Sequence, residues 1–497
     1  MSAGLLIATL ALPALGALLA AAVPARIDRV GRIVATIAAA LAFLASLALG
    51  LDRHPPASGV IRPWHQLDVS WAPGLDLRLH LGVDGISYPL VVLTTLLTLL
   101  CCVYTLWTVP ARGGGRLLAA LLLVIEVGIL GVFLSLDLVL FFVFFEVVLL
   151  PMYAVIAGWG GDGRRHAARK FVLYTLFGSV LLLVGVFLVV VQTGTADLVA
   201  LSAGRGAALS GGAQLAAFVL LALAFAVKSP LWPLHTWLPD AHTEAPTVGS
   251  VILAGVLLKM GTYGLLRVAV GVLPEGARRV APVLGALAVA AILIGGLVCL
   301  AQNELKRLIA YSSVGHMGFV LLGIATLTST GIQAALIGNV AHGIVTGLLF
   351  FLAGAVKDRY HTGDLSQLGG LRERTPLLAG LLGYAAIASL GLPGLAGFWG
   401  EAFAVIAALD RHSPLWTVFG VLAALGGALA AAYFLRMLRR VTHGPRGPAL
   451  VAVSCPPVRP AELVSWAPLV LLALAVGLIP ALVLDLAAGP VQALVAR

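Results

Sequence analysis

Long apolar runs separated by short polar connections recur along the whole chain. Most exceed the roughly 18 residues that a bilayer-crossing helix needs. The pattern predicts fourteen spans, at about 3–23, 30–51, 83–107, 117–135, 137–158, 167–193, 213–237, 247–271, 280–301, 306–327, 332–356, 376–408, 413–438 and 465–487. No connection is long or polar enough to make a separate soluble domain. The longest, Asp52 to Leu81, is polar and carries Trp and Pro, so an ordered turn or small hairpin on one membrane face is expected. The first run lacks a basic start and is followed by a second span, which reads as a retained helix and not a cleaved signal.

The fold class is therefore an all-α polytopic membrane protein. Only 10% of the 497 residues are charged, against about a quarter in a soluble domain. A net charge of +10 raises the question of nucleic acid. The basic residues, however, are spread over short loops instead of forming an arm or stripe, which excludes nucleic acid and leaves the lipid bilayer. Twenty lysines and arginines fall on the odd-to-even connections and eight on the even-to-odd ones. The positive-inside rule then puts both termini on the non-cytoplasmic side of a bacterial inner membrane. Arg267, Arg278 and Arg279 run against that bias. Cys101, Cys102, Cys299 and Cys455 have no metal-ligand or CxxC spacing, and the first three lie in apolar spans as small core residues.

Two spans carry helix breakers. Span seven contains Lys228-Ser-Pro230-Leu-Trp-Pro233, and span twelve contains Ser389-Leu-Gly-Leu-Pro393-Gly-Leu-Ala-Gly397. Proline removes a helical hydrogen bond, and the freed carbonyls need water or protein partners inside a membrane. Paired interrupted spans are the sequence sign of an inverted repeat. Their offset of five spans fits inversion, because an odd number of crossings reverses orientation. The expected division is helices 1–3 over 1–110, repeat one (helices 4–8) over 111–272, repeat two (helices 9–13) over 273–440, and helix 14 over 441–497.

Ionisable residues inside these spans carry the candidate chemistry. A charge at the bilayer centre costs about 3 kcal/mol on insertion scales, so such residues face a protein interior or an ion path. Glu146 in span five and Lys228 beside the first break form an expected pair, in which a change at the carboxylate loosens the lysine's proton; the plainer alternative is a static helix clamp. Lys259 in span eight has no acidic partner in its own span and suits a relay, with a snorkelling lysine as the alternative. His316 and His342, in successive spans, can pass protons between ring nitrogens, or can be hydrogen-bonded core residues. Glu401 follows the second break, as a proton entry or exit group or as a carboxylate favoured by a helix start. His235, Asp240, His242 and Glu244 lie together in a Pro-bracketed turn without a metal motif, and Asp137 reads as a cap or interface residue and not a relay group. No nucleotide fingerprint appears, so no cofactor is expected in this chain.

The strings HLGVDGIS, FFVFFEVVLLPMY, FAVKSPLWPLHTWLPDAHTEAPTVGS, NELKRLIAYSSVGHMGF and GLPG…GFWGE together resemble the antiporter-like membrane subunits of respiratory complex I. The likeness covers about residues 80–440. Within that group it is nearest the M type (subunit 4 in mitochondria), since Glu401 is acidic where the L and N types usually carry lysine. The resemblance implies fourteen helices in two inverted five-helix bundles. It also implies a proton-translocating role in NADH–quinone oxidoreductase, driven by redox chemistry in other subunits, with neighbouring antiporter-like subunits as partners. By the same likeness Glu146, Lys228, Lys259, His316, His342 and Glu401 form the proton relay. The alternatives are a cation/proton antiporter subunit of the Mrp type or its membrane-bound hydrogenase cousin, and a purely structural scaffold.

Overall fold

The computed structural model describes residues 2–55, 59–72, 77–108, 112–452 and 457–495. Cys455 and parts of the 52–81 connection lie outside the described residues. Helices α1 (Ser2–Ala22) and α2 (Asp28–Ala48) pack as a pair. An antiparallel hairpin of β1 (His65–Ala72) and β2 (Leu77–Val83) follows, with His65 opposite Val83. This is the small hairpin expected of the long connection. Next come α3 (Tyr88–Trp107) and α4 (Gly115–Leu134). The fifth crossing is α5 (Leu138–Val147) continued by α6 (Leu149–Trp159). Then come α7 (Arg164–Thr193), the short α8 (Leu198–Gly204), α9 (Gly211–Lys228) and α10 (Trp237–Glu244).

The eighth crossing is irregular. Helices α11 (Thr247–Ile252) and α12 (Leu258–Gly264) are joined and continued by wider π turns at Leu253–Leu257 and Leu265–Val270. The second half holds α13 (Pro274–Ala301), α14 (Leu305–Ala325), α15 (Ser329–Tyr360), the short α16 (Leu371–Arg374), α17 (Pro376–Ser389), α18 (Gly397–Leu409) and α19 (Pro414–Val441). The chain ends with α20 (Pro448–Ala452), α21 (Pro460–Leu478) and α22 (Ala481–Val495).

Among the described residues, thirteen helical segments are long and apolar enough to cross a membrane. The shorter α17 and α18 together occupy the remaining expected crossing, the broken span twelve. Two ends differ most from the hydropathy pattern. Span seven stops at Lys228 instead of running to 237, because Pro230 and Pro233 cannot continue it. Span fourteen stops at Leu478 and not 487, since Pro480 ends it; α22 then packs against α15.

Burial sorts the crossings. The Thr247–Val270 segment is wholly buried, and α15 and α14 are 94% and 89% buried over their most apolar windows, whereas α1 and α21 are 33% buried. A helix covered on all sides is a core element. Lys259, His342 and His316 therefore stand on the three most enclosed crossings.

One local arrangement occurs twice, at the starts of α5 and α14. At the start of α5, Leu138 N donates to Ala196 O at 2.9 Å and Leu198 N to Leu136 O at 2.9 Å. At the start of α14, Leu305 N donates to Gly363 O at 2.8 Å and Leu365 N to Asn303 O at 2.8 Å. Asp137 caps α5 through Val139 N and Leu140 N, and Glu304 caps α14 through Arg307 N. The turn sequences correspond as well: Thr195-Ala-Asp197-Leu198 and Thr362-Gly-Asp364-Leu365, each with the Thr hydroxyl accepting the Asp N–H at 3.1 Å. Burial pushes both cap carboxyls up. Both turn aspartates are held below the usual range. Burial opposes this at Asp197 but is outweighed by the His80 hydrogen bond and two backbone N–H groups; Asp364 is held down by the Ser366 N–H and hydroxyl.

Candidate proton path

The first break leaves Lys228 as the last residue of α9, 2% exposed. Trp237 Nε1 donates to Val227 O at 3.0 Å, and Leu231 N to Ala226 O at 2.9 Å, so the break is held by new partners and is not open. The ammonium sits over the Phe145 ring, 4.7 Å from its centroid. A desolvated cation over an aromatic face gains about 2 kcal/mol. Glu146 is the next residue along α5, yet it is only half-buried. Its carboxylate is near enough to act on Lys228 through space but forms no contact within 4.0 Å; among the described residues no acid pairs directly with Lys228. The expected buried ion pair is thus a separated pair, because the Phe145 ring holds the ammonium.

Lys259 is completely buried on α12, between the two π turns. Such turns leave backbone carbonyls without their usual partner and recur at functional sites. Here Ala254 O accepts from Lys259 Nζ. The same Nζ lies 2.7 Å from His342 Nδ1. His342 and His316 follow at 5.8 Å between ring centroids. His316 Nε2 faces both Ser389 O at 2.9 Å, the last residue before the second break, and Glu401 Oε1 at 3.4 Å. Lys259, His342, His316 and Glu401 therefore follow one another in one buried series, with no direct hydrogen bond between the two imidazoles.

A small cavity of about 30 Å³ lies along this series, lined by His316, His342, Ser389, Gly397, Gly400 and Glu401 among others. His316 Nδ1, His342 Nε2 and Glu401 Oε1 are buried and make no hydrogen bond within the chain. The lining is mostly apolar, but several unpaired polar atoms reach it, and a cavity of this size with such partners can hold a water. Close packing confines it: a Cβ on Gly400 would meet Gly338 Cα at 2.7 Å. The structure brings together four of the six sequence-selected residues. Lys228 stands apart from Lys259, although their helices touch where Gly261 lets Ser229 approach; a Cβ there would meet Ser229 Oγ at 2.3 Å.

The remaining candidates lie outside this series. Asp240 pairs with Lys170 at 2.7 Å and Arg307 at 3.3 Å, and Glu244 accepts from Gly163 N. His242 is fully buried and stacked on Phe350 at 4.5 Å. Several buried ions escaped sequence reasoning. Arg267, counted there as a loop charge, is 3% exposed and paired with Asp84, whose other oxygen accepts from Ile86 N and Ser87 N. This pair ties the hairpin end to the π turn after Lys259. It also removes Arg267 from the charge bias it seemed to oppose. Lys306, likewise counted as a loop residue, is 4% exposed and donates to Ala245 O. Glu126 on α4 is buried with both oxygens unpartnered. A single acid inside the α4 run was its visible signal.

Broken helices with an enclosed series of ionisable side chains define a class, the polytopic membrane carriers. The chain belongs more narrowly to the NADH:quinone oxidoreductase/Mrp antiporter transmembrane family, whose model matches residues 135–426. It is 42% identical over 414 residues to NADH-quinone oxidoreductase subunit M of Rhodobacter capsulatus, covering 81% of this chain and 78% of that one. It is 44% identical over 388 residues to NAD(P)H-quinone oxidoreductase chain 4 1 of Synechococcus sp. strain JA-3-3Ab, covering 77% and 72%. Among solved structures, a chain of respiratory complex I from Thermus thermophilus with bound NADH superposes with a TM-score of 0.86 at 32% identity, over 99% of both chains. A chain of the Mrp complex from Dietzia sp. DQ12-45-1b gives 0.85 at 25% identity, over 99% and 98%.

Proposed function

We propose that this chain is the M-type proton-translocating membrane subunit of an NADH–quinone oxidoreductase, moving protons through its own Glu, Lys and His side chains while other subunits carry out the redox chemistry. The observation that carries this reading is the buried Lys259–His342–His316–Glu401 series beside a small cavity. The relatives at 42% and 44% identity bear quinone oxidoreductase names, against 25% for the Mrp chain, which favours the oxidoreductase over a cation antiporter.

In this reading a charge change in a neighbouring subunit reaches Glu146 first. Glu146 is half-exposed on a face that also shows Val143 and Leu150, 47% and 70% exposed. A carboxylate facing lipid is costly, so a partner subunit over this face is the physically reasonable cover. Lys228 then leaves the Phe145 ring and passes its proton toward Lys259, and the histidines deliver it to Glu401. The matched turns at Asp137/Asp197 and Glu304/Asp364 support the inverted-repeat division at 111–272 and 273–440. The excess of lysine and arginine on the odd-to-even connections supports a cytoplasmic side for those connections, with both termini outside. No cofactor is assigned to this chain.

Lys259→Met tests the reading, since it keeps the side-chain volume and removes the ionisable group. In membranes with the complex assembled, NADH-driven proton uptake is expected to fall about threefold to tenfold. Unchanged uptake would rule out a path through Lys259.

A further inference from the structure

A second polar depression shares no residue with the relay cavity. Arg436, Arg439, Arg440, His443 and Arg446 line a pocket of about 1030 Å³ at the end of α19, closed on its other side by the 365–369 segment. No carboxylate is among its lining residues. Arg446 pairs with Glu373 at 2.9 Å outside the pocket, with both side chains about half exposed. Arg436 and Arg440 converge on one neutral acceptor, Asn303 Oδ1, at 3.3 and 3.0 Å. Two guanidinium groups are thus aimed together without being neutralised. Arg439 is exposed, and no acid lies within 4.0 Å of it among the described residues.

The pocket wall is built, not draped. Gly370 N donates to His443 O at 3.1 Å and Gly447 N to Gly369 O at 3.2 Å. Gly370 and Gly444 have φ of +66° and +83°, and a Cβ on Gly447 would meet Gln367 O at 2.2 Å. Larger residues at these positions would push the two segments apart.

Helical periodicity says what reaches this pocket. Val421, Leu425 and Leu435 are 53%, 55% and 56% exposed, and at about 100° per residue they share one stripe of α19. Arg439, eighteen residues after Val421, is five whole turns further along the same stripe. An apolar track exposed along a membrane helix therefore ends directly at an unpaired guanidinium. A soluble anion needs only the charge; the charge together with the track matches an amphiphile. Basic pockets at the end of a membrane helix suit anionic lipid headgroups.

We propose that this pocket binds the headgroup of an anionic phospholipid, the phosphate accepting from Arg439 and Arg440 and the acyl chains lying along Val421, Leu425 and Leu435. The full-length chain in neutral detergent is titrated calorimetrically with dihexanoyl phosphatidylglycerol, dihexanoyl phosphatidylcholine and inorganic phosphate. Phosphatidylglycerol is expected to bind about tenfold more tightly than phosphatidylcholine. The Arg439→Gln/Arg440→Gln double variant loses that preference, while Arg439→Lys/Arg440→Lys keeps most of it and serves as the folding control. Equal affinities for the two lipids, or an unchanged preference in the Gln variant, would overturn the proposal. Displacement of phosphatidylglycerol by equimolar phosphate would also overturn it, showing a free-anion pocket. So would loss of the preference in the assembled complex, showing that an acidic neighbour fills the pocket.

Discussion

The two helix breaks carry different kinds of ionisable site. At the first, Lys228 rests on an aromatic ring, and its acidic neighbour Glu146 acts from beyond 4.0 Å. At the second, Ser389 O and Glu401 both face His316 Nε2, and His316 is in line with His342 and Lys259. One end of the path is held apart and the other is assembled. A proton step that needs a gap to close can be controlled by charge, because moving one carboxylate changes what the lysine faces. A connected series lined by unpaired polar atoms has no such control point and serves as conduction. In this reading the first break is the switch and the second is the outlet.

The contrast orders the expected effects. The largest belong to the first break, where no other side chain on the path can replace the lost charge. Lys228→Ala and Glu146→Ala should each lower NADH-driven quinone reduction by about tenfold or more in an assembled complex. At the second break, Glu401→Ala and His316→Phe should lower proton pumping by only about twofold to threefold, since a water in the small cavity there can bridge a missing group. If pumping in Glu401→Ala fell as far as in Lys228→Ala, the distinction between switch and outlet would be lost.

A smaller effect concerns the matched turns. The lowered Asp197 carboxyl gives stability that is fully present above the ordinary aspartate value, about 4. That stability is lost as pH falls through the lowered folded value. Wild-type chain in detergent should therefore lose about 1–2 °C more in melting temperature than Asp197→Asn between pH 7 and pH 3. Equal losses would mean that the His80 contact contributes nothing measurable.

Much of this was legible in the sequence because bilayer insertion imposes long apolar runs and makes each buried ion conspicuous. Lys259 stands out for that reason, and proline marks both breaks. What the sequence hid were distances and pairings. Glu146 and Lys228 look like a contact pair in the strings that contain them, but nothing in FFVFFE indicates that the Phe145 ring intervenes. Arg267 and Lys306 sit near span ends, where a buried pair and a snorkelling loop charge have the same pattern; only Asp84, 183 positions away from Arg267, separates the two cases. The π turns around Lys259 were invisible because a π turn uses the same apolar residues as an α turn. The repeated Thr-x-Asp-Leu turns were present in the sequence, but four residues among many similar ones carry little weight without the matching backbone bonds.

The most direct test of the switch is proton pumping and quinone reduction measured side by side in membranes carrying Lys228→Ala or Glu146→Ala, with assembly of the complex verified. Loss of both activities in an assembled complex is the predicted result and puts the separated pair in the coupled path. Normal pumping with normal electron transfer in both variants would reduce Glu146 and Lys228 to structural residues and contradict the account.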